Sequence, residues 1–114
     1  MPFTLTVRCG PRVQRSRHED LADALIALEA RGRELADAAP RRTTTRARRF
    51  EPAEQVYARL EVAGPQRLGP TVRAGVDIRG DGSCAAYRGR VRREPIEPEA
   101  RESAYAALRR ALAV

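Results

Sequence analysis

The sequence predicts an α+β fold, a two-layer sandwich in which two helices pack on one face of a mostly antiparallel sheet of about four to six strands. Three observations support this prediction. Several stretches alternate between apolar and polar residues, an Asp-Gly pair joins two of them, and two other stretches have helical spacing of apolar residues. The predicted order is strand, short strand, helix, three or four strands, helix, and the 114 residues are expected to form a single domain over positions 1–114.

The N-terminal third is predicted to hold the first strands and the first helix. Phe3 to Cys9 alternates as a strand with one buried face does, and Arg12 to Arg17 is interpreted as a short polar second strand after a break. Helical spacing then runs from Glu19 to Ala38. Its apolar stripe contains Leu21, Leu25, Leu28 and Leu35. Ser16, Glu19 and Asp20 are all candidates for the N-cap residue of this helix, and the sequence does not decide between them.

The centre of the sheet is predicted from Asp81-Gly82. This pair tolerates the positive φ angles of a two-residue type I′ turn. A turn of that kind pairs Arg79 with Cys84 and Val76 with Tyr87, which places Tyr87 on the apolar face. The charged residues of this hairpin would then point to the opposite face: Arg73, Asp77, Arg79, Arg88, Arg90 and Arg92.

The stretch before this hairpin also alternates and is interpreted as a third antiparallel strand, with Tyr57 and Arg59 on its polar side. A rival interpretation makes Glu51 to Val62 a helix with Pro52 at its first position. Thr43 to Phe50, which begins with β-branched residues, is a further candidate strand.

The last helix is predicted to open at Pro98, after a connection bracketed by Pro95 and Pro98, with Glu99 in its first turn. The order of helix, strands and helix between residues 19 and 113 is similar to that of the double-stranded-RNA-binding domain, a resemblance of topology. In that family a basic start of the second helix contacts RNA phosphates. Here the matching stretch, Glu97 to Glu102, is acidic, so the resemblance implies a fold and gives no grounds for membership.

Composition excludes several classes of function. The formal net charge is +7, and all 22 basic residues are arginine, so Schiff-base chemistry on lysine is excluded. Cys9 and Cys84 are too few and too far apart for a disulfide framework or a metal site. No signal peptide and no apolar run of membrane-spanning length are found, so we expect no membrane association and a cytoplasmic protein.

An enzyme is not expected, and neither is a cofactor. His18, the only histidine, stands beside Glu19 and Asp20, but the sequence offers no positioned nucleophile or second base to work with it. The glycines have turn spacing and do not have the spacing of a phosphate-binding loop. We therefore expect a binding module.

Two binding roles stay open. The first, which we favour, is association with a protein partner or with a second copy. The candidate interface for self-association is the leucine stripe of the first helix, Leu21, Leu25, Leu28 and Leu35, although the default use of such a stripe, which we favour for it, is to cover the sheet. The second is electrostatic binding of RNA or DNA by an arginine-rich sheet face with one outward aromatic, Tyr57. That face is predicted to contain Arg46, Arg48, Arg59, Arg73, Arg79, Arg88, Arg90 and Arg92. The identity of the partner and the biological process lie beyond the sequence.

Overall fold

A six-stranded antiparallel sheet with two helices forms the structure, a computed structural model that describes residues 2–39, 56–65, 72–89 and 92–114. The strands are β1 (Phe3–Cys9), β2 (Arg12–His18), β3 (Val56–Gly64), β4 (Val72–Arg79), β5 (Cys84–Arg88) and β6 (Glu94–Ile96), and the helices are α1 (Leu21–Ala38) and α2 (Ala104–Ala111). The strands lie in the order β2-β1-β3-β4-β5-β6. The predicted α+β class is confirmed.

The core lies between the sheet and the two helices. Apolar residues that alternate along β3 and β4 point toward the helices, and leucines of α1 and α2 meet them. The largest fully buried side chains are Leu28, Leu60, Ile78, Leu108, Val62 and Val76. Since burial of one such side chain stabilises the fold by roughly 1.5–3 kcal/mol, this layer accounts for much of the stability.

The leucine stripe of α1 covers the sheet. Leu25, Leu28 and Leu35 are buried in the core cluster, and Leu21 is partly buried against it. The stripe is therefore not a free surface in this fold. Self-association stays a prediction, but the contacts of these leucines with the sheet do not support this stripe as its interface.

The N-terminal ends of both helices are set by side-chain caps. Asp20 caps α1, since its carboxylate accepts a hydrogen bond from the backbone N–H of Asp23 at 2.8 Å. The predicted start of α2 was wrong. The helix begins at Ala104, and Ser103 caps it, since its hydroxyl accepts a hydrogen bond from the backbone N–H of Ala106 at 3.0 Å. Arg101 has a φ of 66°, which no helical residue adopts, so the helix cannot begin at Pro98.

Two strands at the sheet edges complete the architecture. The short polar strand β2 is confirmed, and it pairs along its full length with β1. The strand β6 was not predicted, because Pro95 lacks a backbone donor and was interpreted as part of a connection. Pro95 nevertheless lies opposite Tyr87 in an edge strand, where a missing donor is tolerated.

The β4–β5 hairpin turns through three residues, not two. Arg79 pairs with Ser83: its N–H donates to Ser83 O at 2.8 Å, and its C=O accepts from Gly82 N at 2.9 Å. Gly82 adopts a φ of 88°, and the Asp81 carboxylate accepts from both the N–H and the hydroxyl of Ser83. This arrangement is a three-residue loop with a glycine bulge, and it shifts the predicted register by one residue.

The shift reverses the faces of β5. Val76 lies opposite Ala86 and Gly75 lies opposite Tyr87, so Tyr87 is on the face away from the helices. Arg88 lies on the helix side, where its guanidinium donates to the C=O of Ala111 at 3.4 Å. The predicted faces were therefore right for β4 and wrong for β5.

The strand β3 is confirmed over residues 56–64, so the helical alternative is wrong there. A bulge between Val56 and Ala58 places Tyr57 against the core cluster, beside Cys9, and leaves Val56 exposed. Tyr57 is therefore not an outward aromatic. The candidate strand Thr43 to Phe50 and residues 51–55 lie outside the described residues.

The two helices are joined through Glu29 of α1. Its carboxylate accepts from Arg109 of α2 at 2.6 Å and from Arg33 at 2.7 Å. Burial alone would raise the pKa of Glu29, but the hydrogen bonds from Arg109 and Arg33 outweigh it, so the pKa lies below its ordinary value.

Replacing Glu29 with Gln is expected to lower the free energy of unfolding by about 1 kcal/mol at neutral pH. Because the pKa is depressed in the folded state, the stabilisation is complete above the unfolded pKa of roughly 4.3 and is lost as the pH falls through the folded pKa. Urea titrations at pH 7 and pH 3 measure this difference. The control Glu34→Gln removes an exposed pair with Arg31 and should cost about 0.3 kcal/mol. A Glu29→Gln cost that persists unchanged in acid would contradict the ion-pair explanation.

Candidate functional site

The face of the sheet away from the helices contains an open cavity with a volume of about 530 Å³. We call it the outer groove. It crosses β2, β1, β3 and β4 and reaches the residue before β6. The residues that line it are Thr4, Thr6, Arg8, Arg15, Arg59, Glu61, Ala63, Arg73 and Arg93.

The concave shape follows from side-chain length. Thr4 and Thr6 of β1 lie directly opposite Ala63 and Glu61 of β3, so the middle of the face bears mainly short side chains. Arg15 of β2 flanks them on one side. Arginines of β3, β4 and the β5–β6 connection flank them on the other side. Guanidinium groups thus surround a floor that contains two threonine hydroxyls.

One row of residues crosses the whole sheet through this floor. The strand registers place Arg15, Thr6, Glu61, Gly75, Tyr87 and Pro95 in a line on neighbouring strands. Gly75 has no side chain, so the Tyr87 ring can lie across β4 and reach β3. The Tyr87 hydroxyl donates to Glu61 Oε1 at 2.6 Å. Burial and this hydrogen bond raise the pKa of the Tyr87 phenol, so it stays protonated and donates.

Two arginines lie on the Tyr87 ring and bury it. The guanidinium carbons of Arg59 and Arg93 are 5.6 and 5.4 Å from the ring centroid, within cation–π range, and Tyr87 is only 4% exposed. Arg59 also makes a two-point ion pair with Asp77, at 2.6 and 3.0 Å. The hydrogen bond to Asp77 raises the pKa of Arg59. Tyr87 therefore positions arginines and is not available for stacking on a ligand.

Glu61 is the acidic centre of the groove. Besides Tyr87 it binds Arg73, whose Nη1 lies 2.6 Å from Glu61 Oε2. The Arg73 Nε is buried and has no hydrogen-bond partner within the described residues. Glu61 thus holds Arg73 in a fixed orientation at the groove wall.

The charges of the groove do not cancel. Its lining contains five arginines and one carboxylate, that of Glu61. Arg59 is compensated by Asp77 and Arg73 by Glu61, whereas Arg8 and Arg15 are exposed and have no hydrogen-bond or ion-pair partner in the described part of the chain. The groove therefore has a net positive charge on side chains that can reach a ligand.

The structure brings together only part of the predicted arginine face. Arg59 and Arg73 line the groove, and Arg79 lies on the outer face at the end of β4. Arg88 was placed on the wrong face, for the register reason given above, and Arg92 is exposed in the connection before β6. The two-residue turn predicted above would place Arg73 opposite Arg90, whereas in the structure Gly89 N donates to Arg73 O at 2.9 Å. The remaining predicted residues, Arg46, Arg48 and Arg90, lie outside the described residues.

Three groove arginines were missed by the prediction. Arg8 alternates with Leu5 and Val7 in β1, so the sequence pattern already placed it on the polar face. Arg15 belongs to a strand with too few apolar residues to assign its faces. Arg93 reaches the groove only because Tyr87 lies on the outer face, which the sequence pattern did not indicate.

The described residues form neither a histidine-centred catalytic site nor a metal site. His18 bonds to the hydroxyl of Ser16 at 2.9 Å and does not line the groove. No group of three or more His, Cys, Asp or Glu side chains in residues 2–39, 56–65, 72–89 and 92–114 is arranged to hold a metal ion. Neither helix of the structure is long and apolar enough to cross a membrane.

Comparison with known proteins gives no relative to guide the interpretation of this groove. No protein-family model, no curated protein and no solved structure matches the chain. The function must therefore be inferred from the geometry of the groove itself.

Proposed function

We propose that the protein is a non-enzymatic module that binds nucleic acid through phosphate contacts in the outer groove. The observation that carries the proposal is the lining of the groove, five arginines against one carboxylate on a concave surface. Arginine binds phosphate through a planar set of donors and stays charged at every physiological pH. A concave surface lined by one sign of charge also concentrates a polyanion near it.

The arrangement of the arginines that have no acidic partner among the described residues fits a chain of phosphates. Arg15 lies on one side of the floor and Arg93 lies on the other, with the hydroxyls of Thr4 and Thr6 between them, and Arg8 follows Thr6 on β1, directly opposite Arg59 of β3. Hydroxyl groups are common phosphate ligands in complexes with nucleic acids. A backbone that runs across the floor would contact donors from both walls.

The position of the aromatic residues favours recognition of the backbone over recognition of bases. Sheet surfaces that bind single strands by stacking present exposed rings. Here Tyr87 is covered by Arg59 and Arg93, and Tyr57 packs against the core. We therefore expect binding with little sequence preference and with a strong dependence on salt.

The double variant Arg8→Gln/Arg93→Gln is expected to weaken binding of a 20-nucleotide oligomer about 10- to 100-fold in low salt. The slope of log K against log salt should also fall by about 1.4 to 1.8, because each of the two lost phosphate contacts removes about 0.7 to 0.9 from it. Fluorescence anisotropy titrations at several salt concentrations, with single-stranded and duplex oligomers, measure both quantities.

The matched control is Arg33→Gln/Arg88→Gln, which removes the same charge from the helix side of the molecule. It should change the affinity less than about threefold, through the general field alone. If both double variants weaken binding equally, the groove is not the binding surface. If the unaltered protein shows no salt-dependent binding, the proposed function is wrong.

A further inference from the structure

Among the strands that the structure describes, β2 lies at an edge of the sheet. Its seven residues pair with β1 on one side, and no strand of the described residues pairs with the other side. All of its residues except His18 are exposed. An edge of this length with free backbone groups is a template for one more strand.

Two backbone hydrogen bonds determine which groups face the open side. The bonds from Arg79 N to Ser83 O and from Gly89 N to Arg73 O show that odd-numbered residues of β4 bond to β5. In an antiparallel sheet, the backbone N–H and C=O of one residue point to one neighbouring strand, and those of the next residue point to the other. When this alternation is followed through the registers of β3 and β1, the backbone groups of even-numbered β2 residues bond to β1. The outward-pointing backbone groups belong to the odd-numbered residues: Val13, Arg15 and Arg17.

The charge at this edge is uncompensated. Arg12, Arg15 and Arg17 have no hydrogen-bond or ion-pair partner among the residues that the structure describes. By contrast, six arginines of the helices and central strands are paired with carboxylates: Arg31, Arg33, Arg59, Arg73, Arg109 and Arg110. On the helix side, Arg31 reaches β2 and donates to Gln14 at 3.3 Å, which brings one more positive charge near the edge.

The geometry points to a docking site on β2 for an extended, acidic segment of a partner protein, which adds to the sheet as a seventh strand. Its main chain bonds to the outward groups of Val13, Arg15 and Arg17. Its carboxylates, at alternate positions, face Arg15 and Arg17, because opposite charges on neighbouring strands stabilise the pair. This site is distinct from the outer groove, although Arg15 belongs to both.

A second copy of the chain is a poorer occupant. Two β2 strands would bring arginines against arginines, which is unfavourable. The opposite edge, β6, carries Glu94 and lies beside Glu97, but it is three residues long. By the same alternation, Pro95 faces its open side and offers no donor there. The undescribed segment 40–55 is itself basic, so its charge does not favour it either.

The test uses an N-acetylated octapeptide that alternates glutamate with threonine, titrated against the full chain by anisotropy in low salt. Its counterpart with lysine in place of glutamate should bind at least tenfold more weakly. Amide hydrogen exchange provides the backbone readout. On peptide binding the amides of Val13, Arg15 and Arg17 should slow at least fivefold, while those of Gln14 and Ser16, which already bond to β1, should change little.

The decisive variant is Val13→Pro, which removes one outward N–H and no charge, with Val13→Ala as the matched control. Val13→Pro should weaken the peptide at least fivefold and leave oligonucleotide affinity within twofold of the original, while Val13→Ala should change neither. The variant Arg17→Gln, which removes one of the two arginines that face the carboxylates, should also weaken the peptide about threefold. If Val13→Pro folds and binds the peptide unchanged, or if hydrogen exchange of the three outward amides does not slow, strand addition at β2 is wrong. Equal binding of the lysine peptide would overturn the acidic partner.

Discussion

Replacing Glu61 with Gln is expected to destabilise the fold by about 2 to 3 kcal/mol and to tighten nucleic-acid binding at the same time. The loss of stability follows because Arg73 keeps its charge in a partly buried position without its counter-charge. The gain in affinity follows because the one carboxylate of the groove lining is neutralised. Urea unfolding measures the first effect, and anisotropy titration measures the second, with an expected rise of about three- to tenfold.

The matched control for this variant is Tyr87→Phe. It removes the hydrogen bond from Tyr87 to Glu61 and leaves every charge of the groove in place. It should cost about 1 to 2 kcal/mol of stability and leave the salt dependence of binding unchanged. If Glu61→Gln weakens nucleic-acid binding in a folded protein, the positive potential of the groove does not determine its affinity.

Replacing Gly75 with Ala is expected to lower the free energy of unfolding by about 3 kcal/mol. An added Cβ would meet the backbone oxygen of Leu60 and would lie 2.9 Å from the Glu61 Cα, so the two central strands would have to separate. Backbone atoms cannot rotate away as the end of a side chain can, which makes this substitution more costly than ordinary overpacking. Thermal and urea unfolding measure the loss.

Gly10→Ala is the matched control for the steric argument. Gly10 has a φ of 60°, but an added Cβ there would have nothing within 4 Å. Its cost is therefore the backbone term alone, about 1 kcal/mol. Equal losses at the two positions would show that the close approach of β3 and β4 at Gly75 does not control stability.

The sequence predicted the layers and the buried face of the central strands. Leu60, Val62, Val76 and Ile78 alternate with charged residues, and period-two alternation has only one arrangement in which all the apolar side chains share a core. The leucine spacing of α1 was equally informative. These features depend on local periodicity, so they can be recognised without knowledge of tertiary contacts.

The register of β5 depended on contacts that periodicity does not encode. Asp81 binds Ser83 and stabilises a three-residue loop where the Asp-Gly pair also permitted a two-residue turn. The space above Gly75 and the carboxylate of Glu61 then accommodate Tyr87 on the outer face. Since Tyr87 is both apolar and a donor, its sequence position alone was compatible with either face.

The groove was only partly predictable for the same reason. Arg59 and Arg73 follow from strand parity, and parity would have added Arg8. Arg93 belongs to the groove because it packs on a ring that the predicted register had placed in the core. Errors of one residue in a hairpin thus change which cations a ligand meets.

The uneven distribution of free charge along the sheet also affects how a ligand arrives. Within the described residues, Arg8, Arg12, Arg15 and Arg17 at the β1–β2 end have no acidic partner, whereas Glu94 and Glu97 lie beside Arg92 and Arg93 at the β6 end, so unpaired positive charge is densest around β2. A diffusing polyanion experiences a torque in this field before any atom touches. Productive collisions should therefore begin at the β2 side and proceed inward, so that orientation is selected during approach and not after contact.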